Sequence, residues 1–259
     1  LMLKKTTKRF ISAVMIVAMV TLMLPFAAFA GETTTSGNSG SSTGSTTTWD
    51  GTTAETNWYI GHENDTSYTI STAAELAGLA KLVNAGNAFS GKTITLGADI
   101  DLGGQEWTPI GTSGKPFSGT FDGNKKTISN LAINKPSKND VGLFGYTTSG
   151  EIKDFTLNNA SVTGYLDVGA IAGTPYTSKY TNINVTGTIK IEGFSYVGGA
   201  LGKNAYANVT NVDVTGTSES YVKANSIENN IAYRTYVGGL IGFMGKAPIP
   251  YLIVMSRSM

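Results

Sequence analysis

A short glycine-rich motif returns four times along this chain, and no other feature restricts its fold as strongly. Val-Gly-Leu-Phe-Gly at 141–145 recurs as Val168-Gly-Ala-Ile-Ala-Gly173, Val197-Gly-Gly-Ala-Leu-Gly202 and Val237-Gly-Gly-Leu-Ile-Gly242, with starts 27, 29 and 40 residues apart. A second motif, a polar residue followed by an apolar-x-apolar strand, keeps a similar beat. It reads Asn130-Leu131-Ala132-Ile133, Asp154-Phe155-Thr156-Leu157, Asn182-Ile183-Asn184-Val185 and Asn211-Val212-Asp213-Val214, in steps of 24, 28 and 29. Self-similarity at this period, built from short period-two strands without helices between them, implies an all-β chain wound as a β-solenoid.

Each coil should run through two or three short strands, with like residues aligned from coil to coil. Placed on one line, positions 130, 154, 182 and 211 form an expected Asn ladder at a turn, with Asp154 as an imperfect member. Positions 131, 155, 183 and 212 then stack inward, as do 133, 157, 185 and 214. The glycines flanking each Val-Gly motif permit bends that side chains would block. The longer final step is assigned to a polar insertion at 217–235, expected as a loop outside one coil.

The flanks read differently. Residues 1–30 have the build of an export signal: a basic start from Lys4 to Arg9, an apolar run from Phe10 to Phe26, and Ala28-Phe29-Ala30 as the small-x-small cleavage pattern. Cleavage should leave Gly31 first and no segment inserted in a membrane, and the product should be extracellular or at the cell surface. In residues 31–48, 16 of 18 positions are Gly, Ser or Thr, the composition of a flexible linker. An entry module, 49–91, contains one helix signal. Thr72 and Glu75 form a capping box, Leu76, Leu79, Ala80 and Val83 recur at helical spacing, and Gly86 follows as a C-cap, predicting a helix over about 73–85. With so narrow a stripe it should lie against one surface, as a cap over the open end of the β core occupying 92–245. Residues 246–259 (APIPYLIVMSRSM after Lys246) abandon the repeat, and we read them, with the Leu1-Met2 start, as the mark of a truncated longer surface protein.

Composition removes whole classes of chemistry. The 259 residues include no Cys and one His, His62, which excludes disulfides, thiol nucleophiles, HExxH metallopeptidase chemistry and multi-His zinc sites. The formal charge of +1 comes from the leader: without its four basic residues, 15 of 19 remain against 18 acidic ones. A mildly acidic chain of this kind is no nucleic-acid binder. A cysteine-free exported protein fits a Gram-positive source.

The Val-Gly-Gly-Leu-x-Gly pattern resembles the GLUG repeat of bacterial surface proteins. The run from Phe89 to Asn134 is similar to the opening coils of adhesin-like proteins with a right-handed parallel β-helix. That resemblance covers roughly residues 49–245 and implies a right-handed helix and a recognition or stalk role. Related repeats in the non-catalytic region of immunoglobulin-A-type secreted metallopeptidases imply the same role within a larger enzyme.

Three aspartates are the candidates for chemistry. Asp99 and Asp101 alternate with apolar residues on one strand, about 7 Å apart on its outer face, and Asp122 begins the turn Asp122-Gly123-Asn124. They would serve a polysaccharide lyase or hydrolase, or group hard oxygens for a weak Ca²⁺ site; the plainer reading is that they accept backbone N–H groups in turns. His62-Glu63-Asn64-Asp65 superficially offers a ligand group, but without a second His it reads as a surface histidine. Aromatic residues crowd the repeats (Tyr146, Tyr165, Tyr176, Tyr180, Phe194, Tyr196, Tyr206, Tyr221, Tyr233 and Tyr236). Tyr165, Tyr196 and Tyr236 are the candidates for a strip that stacks on sugar faces or on a partner surface. The expectation is a module without cofactor or catalytic activity that binds an extracellular glycan or a host or matrix protein.

Overall fold

The period-two strands pair with the next coil of the chain, and every pairing between strands is parallel in the computed structural model, which describes residues 48–225 and 236–244. One sheet stacks Ser67–Ile70, Thr93–Leu96, Thr120–Asn134, Glu151–Thr163, Lys179–Gly193 and Asn208–Gly216, with Ile100–Asp101 and Tyr221–Ala224 attached at its side. A second stacks Phe144–Thr148, Ala172–Tyr176, Leu201–Asn204 and Ile241–Met244, and a third Leu166–Gly169, Ser195–Gly198 and Val237–Gly238. The chain is therefore a parallel β-solenoid of about five turns with one short helix near its N-terminus, as the repeats require.

Register corrects part of the expected alignment. Val141, Val168, Val197 and Val237 do stack. Phe155, Ile183 and Val212 form one inward row, as expected, but Leu131 belongs to another, with Ala160 and Ile189. Leu157, Val185 and Val214 likewise align with Ile128, and Ile133 with Val162 and Ile191. The step of 24 had matched two different corners of the coil, because both carry a polar residue ahead of an apolar-x-apolar run. Of the segment 217–235, residues 221–224 are a strand paired with Lys190–Gly193 and so belong to the coil. Residues 226–235, the leader, the linker up to residue 47 and the tail from residue 245 lie outside the described residues.

A coil turns where a residue enters the left-handed region, and four columns of such corners run along the solenoid. Asp154, Asn182 and Asn211 make one (φ 59°, 55° and 50°), and Asn130, Asn159 and Gly187 another (58°, 58° and 78°). Asp140, Asp167 and Tyr196 make a third (57°, 59° and 55°), and Ser149, Thr177 and Tyr206 a fourth (52°, 50° and 67°). Asn, Asp and Gly tolerate this conformation best, which explains why the first two columns read as an Asn-rich motif in the sequence.

The inward rows fill the interior. Ile94, Phe121, Ile152 and Tyr180 are fully buried in register, and Phe121 meets Phe144 edge-on at 5.3 Å and Phe155 at 5.8 Å. The helix α1, Ala73–Ala85, carries the expected capping box and the Gly86 cap. It is covered more fully than its four-member stripe implies. Gly78 is buried, and a Cβ there would lie 1.8 Å from the Glu55 carbonyl oxygen, while the Glu55 N–H donates to the Ala74 carbonyl at 2.8 Å. The entry segment thus closes over the far side of the helix. A cluster of Trp58, Tyr59, Tyr68 and Phe89 seals the first coil. Among the described residues no helix is long and apolar enough to cross a membrane.

Candidate functional site

The three aspartates singled out by sequence are engaged in holding the coils. Asp99 accepts the Thr127 N–H at 2.8 Å. Asp101 accepts both the Gly103 N–H and the Asn130 side-chain amide at 2.8 Å. Asp122 accepts the Asn124 N–H and meets the Lys153 ammonium at 2.8 Å. Each does what a turn carboxylate does. Among the described residues no three His, Cys, Asp or Glu side chains group as metal ligands. His62 is exposed and lies 3.2 Å from Asp65.

The candidate aromatic residues divide. Tyr165 stacks on Phe194 at 5.2 Å and is not among the residues that wall the recess described below. Tyr196 and Tyr236 stack nearly parallel, 5.2 Å apart with 7° between planes, and Phe243 packs edge-on against both. Tyr180, which the sequence groups with the repeat aromatics, is a core residue whose hydroxyl shares a 2.7 Å hydrogen bond with Thr147. Burial pushes its phenol well above the usual range. Tyr233 lies outside the described residues.

A recess of about 410 Å³ opens beside the third corner column, walled by Asp140, Tyr146, Asp167, Thr174, Tyr176, Lys203, Tyr206 and Phe243, among others. All four strands of the second sheet build its floor, because Tyr146 pairs with Thr174 in register and Lys203 with Phe243. Tyr146 and Tyr176 stack on successive coils at 6.4 Å, and Tyr206 meets Tyr176 edge-on at 6.1 Å. Lys203 holds its ammonium 5.6 Å from the centre of the Tyr196 ring. The residue before each Val-Gly motif thus changes along the column, from Asp140 and Asp167 to Tyr196 and Tyr236. Sequence reading noticed the tyrosines there and missed the aspartates; aligning all four motifs at their Val would have exposed both.

The two carboxylates sit on adjacent coils, whose backbones are about 4.8 Å apart, and neither is fully compensated. Thr174 donates its hydroxyl to Asp140, but burial still raises the Asp140 pKa against that bond and the pull of Lys203. Asp167 is pushed up to about 6, chiefly by burial and then by the Asp140 charge, with Lys203 opposing. Among the described residues, its Oδ1 is a buried side-chain oxygen without a hydrogen-bond partner. Tyr146 is also raised, by burial and by the two carboxylates. The recess therefore holds two partly buried carboxylates on neighbouring coils, each harder to ionise than a solvated aspartate, with Asp167 losing its proton only near pH 6.

The closing glycine of the repeat keeps this corner in place. A Cβ on Gly173 would lie 2.4 Å from the Asp140 carbonyl carbon and the Val141 nitrogen. One on Gly202 would lie 2.4 Å from the Val168 nitrogen and 2.5 Å from the Asp167 carbonyl carbon. The strand leaving one coil presses on the turn of its neighbour, so the motif ends in Gly because the backbones touch.

No protein-family model matches the chain, so the likeness to GLUG repeats rests on the motif residues. Halomucin of Haloquadratum walsbyi is 36% identical over 151 residues, which are 53% of this chain and 2% of halomucin. A protein of Evansella cellulosilytica named "Putative Gly-rich membrane protein" is 32% identical over 130 residues, 48% of this chain and 15% of that one. The chain thus spans a small fraction of both relatives. A solved structure titled as a "putative immunoglobulin A1 protease" from Bacteroides ovatus superposes with a TM-score of 0.47 and 20% identity, over 70% of this chain and 62% of the other. The chain is a parallel β-solenoid with distant sequence relatives that are far longer proteins.

Proposed function

We propose that the chain is an exported, non-catalytic β-solenoid module that binds an extracellular glycan in the recess at the third corner, as a recognition or stalk element of a surface protein. The observation that carries this reading is the wall itself: tyrosine rings on three successive coils facing two carboxylates and one ammonium. Aromatic faces stack on the apolar faces of sugar rings, while carboxylates and ammonium groups fix hydroxyls. The short share of each relative that the chain matches supports a module used within longer proteins. Binding to a glycan array tests it: Tyr176→Ala should weaken binding at least about tenfold, a loss of about 1.4 kcal/mol, while Tyr165→Ala leaves it unchanged. Equal loss in both variants, or none in either, contradicts this placement.

A hydrolytic reading has one observation in its favour. Two carboxylates on neighbouring coils, both with raised pKa values and Asp167 at about 6, resemble the acid and nucleophile of a retaining glycosidase, whose carboxyl groups lie about 5–5.5 Å apart. New reducing ends from a glycan panel, abolished by Asp167→Asn, would establish it over the non-catalytic one.

A further inference from the structure

The charge and hydrogen-bond polarity of the recess restrict what it accepts. Its side-chain oxygens, on Asp140, Asp167, Thr174 and the tyrosines, outnumber its one cationic donor, Lys203. That donor is held over the Tyr196 ring, so an anion entering the recess would meet two aspartates before any compensating charge dedicated to it. A like charge placed against a partly buried carboxylate costs several kcal/mol. A polyol faces the opposite situation, because each hydroxyl can donate to a carboxylate whose own partners are incomplete.

The column that supplies the aspartates also supplies the platform beyond them. Asp140 and Asp167 occupy the corner on two coils, and Tyr196 and Tyr236 occupy it on the next two, stacked face to face. A ligand lying along the solenoid axis passes from a hydrogen-accepting stretch to an aromatic one at a spacing of about 4.8 Å per coil. Lys203 stands at the junction, near both carboxylates and above the first ring of the platform.

Building on the glycan reading above, we propose that this recess selects an uncharged oligosaccharide laid along the solenoid axis and rejects saccharides bearing carboxylate, sulfate or phosphate groups. Hydroxyls of one sugar donate to Asp140 and Asp167, Lys203 donates to a sugar oxygen, and a following sugar packs against the edges of the stacked Tyr196 and Tyr236 rings.

The test is equilibrium binding of the purified full chain to two immobilised sets: neutral hexose and N-acetylhexosamine hexamers, and oligogalacturonate and sulfated hexamers. At pH 7.5 the best neutral probe should bind at least about tenfold more tightly than any acidic probe. The double variant Asp140→Asn, Asp167→Asn, checked for an unchanged far-UV spectrum, should reduce that preference to less than about threefold. The unaltered chain gives an independent reading, since protonation of Asp167 below about pH 6 should narrow the preference at pH 5. Acidic probes bound as tightly as neutral ones at pH 7.5 would overturn the selectivity and leave glycan binding standing. So would a preference unmoved by both the variant and the pH. Binding to neither set would overturn the glycan reading itself.

Discussion

Two columns of corner residues share the same backbone conformation and the same repeat, yet they treat their aspartates in opposite ways. At the first corner Asp154 accepts the Asn182 amide at 2.9 Å, Asn182 accepts the Asn211 amide at 3.1 Å, and Lys153 reaches both Asp122 and Asp154. Led by the Asn182 bond, these contacts hold the Asp154 carboxyl below its usual range. At the second corner Asn159 donates to Asn130 at 3.2 Å, and Asn130 to Asp101. At the third corner Asp140 and Asp167 face each other across one coil spacing with their pKa values raised. A solenoid that can close a polar ladder so readily leaves one open where its aromatic wall begins. Stability resides in the closed ladders, and the proposed binding site lies at the open one.

The largest break in that comparison should come from the contact that sets the third corner. Gly202→Ala forces a methyl group onto the Asp167–Val168 backbone and should cost about 2–4 kcal/mol by chemical denaturation. Asn182→Ala comes next: it removes two rungs and puts a β-carbon without a local hydrogen bond at φ 55°, for about 1–2 kcal/mol. Asp154→Asn should also destabilise, and by more at pH 7 than at pH 3. Its carboxylate is favoured in the folded state, so its contribution is present above the unfolded pKa and is lost as pH falls through the folded one. The smallest effect should be Lys179→Ala, which breaks an exposed 3.1 Å pair with Glu151. It should stay within about 0.5 kcal/mol.

Much of this organisation was legible in the sequence. The period, the Val stack and the helix with its capping box followed from residues whose spacing directly records a backbone constraint. The alignment of Asn130 with Asp154 failed because polar residues ahead of apolar-x-apolar strands mark two different corners, and only hydrogen-bond register separates them. Asp99, Asp101 and Asp122 drew attention because they lie in recognisable turns, and the turns account for their partners. Asp140 and Asp167 were hidden inside a motif recognised by its Val and Gly. Their proximity comes from coils 27 residues apart in sequence, and their lack of compensation comes from burial, which no local pattern encodes.

The central claim is that the third corner keeps its carboxylates at the expense of stability, and Asp167→Asn measures it most directly. The folded-state pKa is raised from 3.8 to about 6, so the native chain binds more protons than the unfolded one between those values and wild-type stability falls as pH rises through them. Asn keeps the corner conformation and removes the charge. The account predicts that the Asn variant is the more stable at pH 7.5, by about 1–3 kcal/mol. Its advantage should grow between about pH 4 and 6 and level off above. An Asn variant less stable than wild type at pH 7.5, or a difference that does not change with pH, would contradict it.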